Sequence, residues 1–284
     1  MLDTAMQAAL APARSFLFVP ADRPERYAKA LASGADAVII DLEDAIAPAG
    51  KLAARQALMQ ALPGLSAAER GRLLVRINAA GSAWHGDDLA ALRNPGPVAI
   101  MVPKAESVAT LAQVAAAMGP ACALLPLIES VAGLDAIDAL AACPQVLRLV
   151  FGHLDFQADA GLACGVDESE LISVRLTIVL ASRRAGLAAP VDGISPGTRE
   201  TAQLGLDAAR SRRGGFGGKL CIHPAQVAVV NAAFTPSADE LDWARRVQAA
   251  FTAAGGGVFS LDGRMVDAPV LRLAQRTLAQ VSAR

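Results

Sequence analysis

The sequence predicts an α/β fold, a (β/α)8 TIM barrel followed by a C-terminal helical extension. The first observation is that short, almost continuously apolar runs recur eight times along the 284 residues, each bounded by turn residues. Runs that are apolar on both faces are typical of strands in a parallel sheet covered by helices. The second observation is that Ala- and Leu-rich helical segments lie between the runs. Alternation repeated this often favours a barrel, with a doubly wound open sheet as the alternative.

The predicted elements follow one another in a regular order. The strands are Ser15–Pro20, Asp36–Asp41, Leu73–Asn78, Val98–Pro103, Ala123–Glu129, Leu147–Gly152, Ala189–Gly193 and Gly218–His223. The helices between them are Pro24–Ser33, Lys51–Ala61, Ser107–Met118, Val131–Ala141, Ser169–Ala185 and Thr198–Arg210. With 54% hydrophobic but only 4% aromatic residues, small aliphatic side chains must fill the interior.

The chain continues beyond what a barrel needs. Two helices, Pro224–Phe234 and Asp239–Ala253, follow the eighth strand, and then come Gly255–Gly257, a brief apolar ribbon and a last helix, Pro269–Val281. A triple glycine lets a segment swing away from its parent domain. We therefore assign residues 1–235 to the barrel and residues 236–284 to a helical extension that serves as a lid or oligomerisation arm.

Composition excludes several classes of protein. The net charge of −1 and the 19% of charged residues exclude a disordered chain and a nucleic-acid-binding protein with a basic stripe. No apolar run reaches the ~18–20 residues of a membrane span, and the segment before the first strand lacks the basic start of a signal peptide. The four cysteines and three histidines are scattered, so we expect neither zinc nor disulfides, and a reducing, cytoplasmic compartment.

Polar side chains gather where the predicted strands end, which in a barrel is the active face. Glu129 and Asp155 close neighbouring strands, so we expect them within a few ångströms of each other. Two bare carboxylates at that distance repel unless one is protonated or a cation lies between them. Oxygen-only donors favour Mg²⁺. Arg76 and Lys104 on neighbouring strand ends indicate an anionic substrate, because Arg binds a carboxylate with two parallel hydrogen bonds.

A set of sequence blocks, in this order, resembles the citrate lyase β-subunit-like family within the HpcH/HpaI aldolase superfamily. The blocks are Arg14–Pro20, Ser33–Ala45, Val75–Asn78, Met101–Ser107, Leu127–Ser130, Ile222–Pro224 and Met265–Pro269. The resemblance covers the chain from the first block onward. It implies a Mg²⁺-dependent lyase that cleaves or forms the carbon–carbon bond of a 3-hydroxyacyl thioester, the family's substrates including citryl, malyl and citramalyl thioesters.

The resemblance also implies roles for individual residues. Glu129 and Asp155 match the family's metal ligands. Arg76 matches the arginine that binds the substrate's carboxylate or the forming oxyanion. Arg14 matches the first-strand arginine and Lys104 the fourth-strand lysine, and we expect both to bind substrate.

Two further segments take their expected roles from the same resemblance. Asp41, Glu43 and Asp44 match the acidic loop after the second strand, which orders metal-bound water and nearby cations around the substrate. Asp267 matches a C-terminal aspartate that reaches the active site from a neighbouring subunit. We expect Asp267 to be the proton donor. The loops at His153 and at Ile194–Thr198 depart from the family's pattern and are expected to border the acyl pocket.

The function expected on these grounds is cleavage of citramalyl-CoA or malyl-CoA to acetyl-CoA and pyruvate or glyoxylate. The expected partners are a CoA-thioester substrate and further copies of the chain in a homotrimer or homohexamer. One alternative is the citryl lyase subunit of a citrate lyase complex, which acts on groups carried by an acyl carrier protein. Another is a metal-dependent aldolase of free 2-oxo acids. The intact Glu129 and Asp155 pair argues against a non-catalytic binding protein.

Overall fold

The computed structural model describes residues 9–93, 96–198 and 201–282. Eight parallel strands pair in chain order and close into a barrel, which confirms the predicted (β/α)8 fold. They are β1 (Ser15–Pro20), β2 (Ala37–Asp41), β3 (Leu73–Arg76), β4 (Ala99–Val102), β5 (Ala123–Ile128), β6 (Val150–Phe151), β7 (Val191–Asp192) and β8 (Gly218–Cys221). Residues 1–8, on which the expectation about a signal peptide partly rests, and residues 199–200 of a predicted helix lie outside the described residues.

Helices alternate with the strands. They are α1 (Tyr27–Leu31), α2 (Lys51–Ala61), α3 (Ala67–Arg70), α4 (His85–Leu92), α5 (Val108–Met118), α6 (Val131–Asp135), α7 (Ile137–Ala141), α8 (His153–Ala160), α9 (Ile172–Arg184), α10 (Thr201–Arg213) and α11 (Pro224–Ala233). The sequence pattern did not predict α3, α4 or α8. Two of these, α4 and α8, begin in His- and Asp-containing stretches whose polar residues read as loop.

The barrel interior is filled by every second residue of the strands. Ala37 and Ile39 of β2, and Ala123, Leu125 and Leu127 of β5, all belong to one buried cluster. Side chains of a strand alternate between its two faces, so the inward residues form stacked layers and the outward ones pack against the helices. Small side chains suit this narrow space, which explains why a chain with so few aromatic residues forms this barrel.

The amino ends of the strands are closed by a buried arginine. Arg148 is fully buried, and its guanidinium donates to the carbonyl oxygens of Leu10 at 3.1 Å, Ala13 at 2.6 Å and Ala189 at 2.7 Å. The same group lies 5.2 Å from the centre of the Phe16 ring. Hydrogen bonds to a charged donor are stronger than neutral ones. Arg148 therefore fastens the segment before β1 across the bottom of the barrel.

Several strands are shorter than predicted, at both their amino and their carboxyl ends. The runs Leu147–Gly152 and Ala189–Gly193 form ladders of only two residues each, Val150–Phe151 and Val191–Asp192. A one-sequence pattern detects the buried apolar run, whereas the ladder also depends on where the neighbouring strands begin and end. The last polar residues of several predicted strands consequently lie in the loops that follow.

The chain divides into two compact units, Met1–Ala232 and Ala233–Arg284. In the second unit, helix α12 (Ala238–Ala253) and helix α13 (Ala268–Ser282) pack around a small core that includes Val247 and Val266. The predicted ribbon is an antiparallel hairpin of β9 (Phe259–Leu261) and β10 (Arg264–Val266). In the described part of the chain, no helix has both the length and the apolar character needed to cross a membrane.

Gly218 allows β8 to close the barrel against the start of β1, and its substitution tests this closure. A Cβ at Gly218 would lie 2.6 Å from the carbonyl oxygen of Arg14 and 2.9 Å from that of Ala13. We expect Gly218→Ala to lower the free energy of unfolding by about 1–3 kcal/mol, measured by urea denaturation, because the backbone must shift. Gly86→Ala in helix α4 is the matched control, since a Cβ added at that position would have no neighbouring atom within 4 Å. Equal stability of the two variants would contradict the close approach.

Candidate active site

The inward side-chain pattern of the strands continues past the core into a cavity of about 430 Å³. Along β2 the inward residues Ala37 and Ile39 are followed two positions later by Asp41. Along β5 the inward Leu125 and Leu127 are followed by Glu129. Both carboxylates line the cavity. The alternation that builds the core thus also aims polar side chains at the carboxyl ends of the strands, the active end of such barrels.

Glu129 is a buried acidic group of the cavity, with 4% of the residue exposed. Its Oε1 accepts a hydrogen bond of 2.7 Å from the backbone N–H of Lys104. Burial raises the pKa of Glu129 to about 7; the Lys104 N–H opposes this rise and the nearby Asp155 carboxylate adds to it. Gly152 makes room for this group, because a Cβ there would lie 2.6 Å from the Glu129 Cβ.

Asp155 lines the same cavity from the first turn of α8, directly after β6. Unlike Glu129 it is solvent-exposed. The two carboxylates repel each other, and a divalent cation between them would remove that repulsion. Within residues 9–93, 96–198 and 201–282, no three His, Cys, Asp or Glu residues form a metal-binding group. An all-oxygen pair with open space beside it fits Mg²⁺, which usually takes one or two carboxylates and completes its shell with water and substrate.

Arg76 is held beside this pair by acidic residues on the neighbouring strand. It is the direct register partner of Asp41, whose two oxygens lie 2.8 Å from Nε and 2.6 Å from Nη2. The remaining nitrogen, Nη1, lies 3.0 Å from Glu43 and 3.1 Å from Asp44. Burial works against the charge, but the bond to Asp41 and the three carboxylates hold the pKa of Arg76 above its usual value. The Phe18 ring lies 4.8 Å from the guanidinium.

The acidic loop after β2 is organised from within. Asp41 accepts hydrogen bonds from the backbone N–H groups of Glu43 at 2.9 Å and Ala45 at 3.1 Å. Burial raises the pKa of the Glu43 carboxyl to about 8, opposed by Arg76 and reinforced by the other acidic groups nearby. Without bound metal, Glu43 and Glu129 are therefore carboxyls that exchange protons near neutral pH.

A buried lysine that the sequence pattern did not single out supports this loop. Lys51, on α2, donates to the carbonyl oxygens of Leu42 at 2.8 Å and Glu43 at 2.7 Å. Only 5% of Lys51 is exposed, and burial lowers its pKa. Its ammonium also lies 5.2 Å from the centre of the Trp84 ring. A lysine on the inward side of a predicted helix was the available signal, and Lys51 positions the loop.

A second buried network holds the loops on the opposite side of the cavity. His153 Nε2 lies 3.2 Å from Glu168, which also contacts Arg175. Arg175 in turn pairs with Asp192 of β7 at 3.1 Å. Burial alone would raise the pKa of Glu168, but the His153 and Arg175 contacts hold it at about 2. Lys219 donates to the Gly193 carbonyl oxygen at 2.6 Å. The sequence pattern did not predict this network, although a charged residue inside the otherwise apolar β8 was an available signal.

The structure brings together most of the predicted site residues but not all in the expected way. Asp41, Asp44, Arg76, Glu129 and Asp155 line the cavity. Glu43 is linked to these residues by its contact with the Arg76 guanidinium. The side chain of Lys104 is exposed, and its backbone, with φ of 44°, supplies the N–H that binds Glu129.

Arg14 does not belong to this group, and its expected role in substrate binding is corrected. It immediately precedes β1, at the amino ends of the strands, whereas the cavity lies at their carboxyl ends. Its guanidinium lies 2.7 Å from Asp36, which precedes β2. Arg14 therefore ties together the starts of two strands. The arginine that follows β1 on the cavity side is Arg23, whose side chain is 53% exposed.

Asp267 lies in the second unit, in the turn between β10 and α13. Its Oδ1 accepts a hydrogen bond of 3.2 Å from the backbone N–H of Val270. Asp is a favoured residue at the start of a helix for this reason. Asp267 therefore caps α13 in a single chain, and its expected part in catalysis remains a prediction.

The chain matches one family model and several known proteins. Residues 14–224 match the family model described as HpcH/HpaI aldolase/citrate lyase. The chain is 38% identical to a citrate lyase subunit beta-like protein of Mycobacterium tuberculosis, with 93% of each chain covered. It is 34% identical to a (3S)-malyl-CoA thioesterase of Cereibacter sphaeroides, covering 96% of this chain and 95% of that protein.

A solved structure matches over nearly the whole chain. It is that of protein CitE from Mycobacterium tuberculosis in complex with magnesium, acetoacetate and coenzyme A. The TM-score is 0.85 and the sequence identity 37%, covering 96% of this chain and 100% of that one.

The raised pKa of Glu129 predicts a pH dependence of stability in the metal-free protein. The folded state binds a proton at about pH 7, whereas the unfolded carboxyl has a pKa of 4.5. The contribution of the Glu129 carboxyl to the stability of the folded state is therefore fully present below pH 4.5 and is lost as the pH rises through about 7. We expect the melting temperature in EDTA to fall from pH 5 to pH 8, and to fall less in Glu129→Gln, which has no carboxyl to titrate. Identical slopes for the two proteins would contradict the raised pKa.

Proposed function

The chain belongs to the HpcH/HpaI aldolase/citrate lyase family, and on that premise we propose that it is a Mg²⁺-dependent carbon–carbon lyase of short 3-hydroxyacyl-CoA thioesters. Substrates of the citramalyl-CoA or malyl-CoA type would yield acetyl-CoA and a 2-oxo acid. The observation that carries the proposal is the pair of Glu129 and Asp155 in one cavity with Arg76. The related structure that contains magnesium, acetoacetate and coenzyme A supports the assignment of both metal and thioester.

Within this proposal, Glu129 and Asp155 hold the metal. When bound, Mg²⁺ would act as a Lewis acid that stabilises negative charge on a substrate oxygen. The Lys104 N–H already binds one oxygen of Glu129, and the other oxygen is available to bind the metal. Asp155, exposed on the first turn of α8, can adjust its side chain to the ligand.

Arg76 binds the anionic end of the substrate or the oxyanion that forms. Asp41 fixes its guanidinium with two hydrogen bonds, so the group keeps its orientation without the substrate. A preorganised donor stabilises developing charge without reorganisation during the reaction. Glu43 and Asp44 contact Nη1, the nitrogen that Asp41 does not bind, and an incoming carboxylate would compete with them for it.

The cleavage itself divides into a proton loss and a proton gain. The 3-hydroxyl gives up its proton to solvent water, and its oxygen becomes the carbonyl oxygen of the 2-oxo acid as the carbon–carbon bond breaks. The electron pair of that bond passes to the thioester as an enolate. Protonation of the enolate carbon then gives acetyl-CoA, and the other fragment leaves as the 2-oxo acid. We assign the second proton to Asp267 of a neighbouring copy of the chain, in line with the family resemblance of the Met265–Pro269 block.

A panel of substrates tests the reaction. The purified chain is incubated with Mg²⁺ and citramalyl-CoA, malyl-CoA or citryl-CoA, and acetyl-CoA, free CoA and the 2-oxo acid are followed. Acetyl-CoA and a 2-oxo acid in equal amounts are the expected products. Free CoA in their place would show a thioesterase, as the Cereibacter relative is named. Turnover restricted to acyl carrier protein thioesters or to free 2-oxo acids would contradict the proposal.

Removal of either metal-binding carboxylate should abolish the Mg²⁺-dependent reaction. We expect Glu129→Gln and Asp155→Asn to lower kcat/KM by at least ~10²-fold and to weaken Mg²⁺ binding in calorimetry, because each keeps its size but loses a charged ligand. Far-UV circular dichroism should remain unchanged. Asp242→Asn, at a 66% exposed side chain on α12, is the control and should remain active. Normal Mg²⁺-dependent turnover in either site variant would overturn the metal assignment.

Subunit mixing tests whether Asp267 acts from a neighbouring chain. Asp267→Asn keeps an N-cap residue on α13 but removes the acid, so we expect normal stability and a ~10²–10⁴-fold loss of kcat. Glu129→Gln should be equally inactive for its own reason. Mixed under conditions of subunit exchange, the two variants should recover part of the activity, because some sites then combine an intact metal site with an intact acid. Mixed oligomers without recovery would place Asp267 outside the proposed role.

A further inference from the structure

Helix α9 (Ile172–Arg184) carries large aliphatic side chains on both its inner and its outer side, beside the buried Arg175 of the ion network described above. Its inner side is buried and includes Val174, Ile178 and Val179. Its outer side carries Ile172, Leu176 and Leu180, which are 59%, 51% and 46% exposed. In the part of the chain that the structure describes, no other helix exposes three large aliphatic side chains at such spacing. A helix with large apolar side chains on two opposite sides is typical of one that lies between two protein surfaces.

These three residues form a continuous stripe. They are four positions apart, so they stack on one face over two turns of the helix, about 12 Å long. No charged residue interrupts the stripe on that face. Large exposed apolar patches with polar ends mark interaction sites on protein surfaces. We call Ile172, Leu176 and Leu180 the α9 stripe.

The charges at the two ends of the stripe have opposite sign. Asp167 and Glu170 are exposed before its first residue, and Arg183 and Arg184 are exposed after its last. Arg184 already contacts Asp138 in the same chain at 2.6 Å. This polarity suits the dipole of an isolated helix. It also makes the stripe complementary to a second, antiparallel copy of itself, which the dipole does not require.

We propose that two copies of this chain associate through the α9 stripe about a two-fold axis that passes beside Leu176. Antiparallel pairing centred there places Leu176 against the second copy's Leu176, and Ile172 against the second copy's Leu180. The same register brings Glu170 within one position of the second copy's Arg183. A two-fold interface must be self-complementary in this way, since each surface meets itself. Parallel pairing would instead place acidic ends against acidic ends.

The stripe is the centre of the interface and not its whole extent. A stable interface buries about 1,200–2,000 Å² in total, more than three pairs of aliphatic side chains supply. Charged pairs at the rim set orientation more than affinity. The outer side of α9 is turned away from the barrel interior, so loss of this contact leaves the cavity of each chain intact.

Sedimentation measurements test whether the stripe joins two copies. We expect Leu176→Glu to halve the sedimentation-equilibrium mass of the wild-type assembly, because two equal charges meet at the axis. The control Leu206→Glu, at a 66% exposed leucine on α10, should leave the mass unchanged. An unchanged mass for Leu176→Glu would overturn the proposal.

Cysteine cross-linking tests the register. Under mild oxidation Leu176→Cys should form disulfide-linked dimers well above the wild-type level, which measures any reaction of the native cysteines. Ile172→Cys and Leu180→Cys should each link poorly alone but link efficiently when mixed, because they face one another across the axis. Strong linking of Ile172→Cys with itself would indicate parallel pairing and contradict the antiparallel register.

A charge exchange gives an independent check. Glu170→Arg should weaken association, since it then faces the second copy's Arg183. Adding Arg183→Glu to the same chain should restore association, because the opposite charges return in exchanged positions. If the double variant associated no better than Glu170→Arg, the proposed pairing of the helix ends would be wrong.

Discussion

The alternation of side chains along eight parallel strands is the constraint on which the site depends. Closure of the barrel directs every second side chain inward, where mostly aliphatic residues pack in layers. At the carboxyl ends the layers stop, but the alternation does not, so Asp41, Arg76 and Glu129 continue the inward faces of β2, β3 and β5. The geometry that packs the core therefore also sets the directions of the functional groups.

Buried charges at this end are stabilised by one another more than by solvent. Arg76 faces three carboxylates, and the Lys51 ammonium donates to two backbone carbonyl oxygens of the same loop. Isolated charges in such surroundings would carry a large desolvation cost. The network keeps Arg76 ionised while Glu43 and Glu129 have pKa values near neutrality. A cation and an anionic substrate would enter a site whose charges are already arranged for them.

Residues outside the chemistry decide how firmly the site is held. The Lys104 N–H fixes one Glu129 oxygen, and Gly152 leaves space for the same side chain. Glu168, which is paired with Arg175, contacts His153 at the start of α8. None of these residues needs to touch a substrate. Helix α9 likewise has two sides with different roles. Its inner side covers the barrel, and in our proposal the α9 stripe on its outer side binds a second copy of the chain.

The (β/α)8 fold and the cluster of Asp41, Arg76, Glu129 and Asp155 could be predicted from the sequence, because continuous apolar runs and the polar residues that follow them are local patterns. The predicted first strand already placed Arg14 at the amino ends, whereas its expected role in substrate binding came only from the resemblance. The sequence pattern missed Lys51, Glu168 and Arg175, whose partners are distant in sequence. The sequence also gave no sign that the Lys104 backbone N–H binds Glu129, because the positive φ and this hydrogen bond arise from the packing of neighbouring strands in the folded chain.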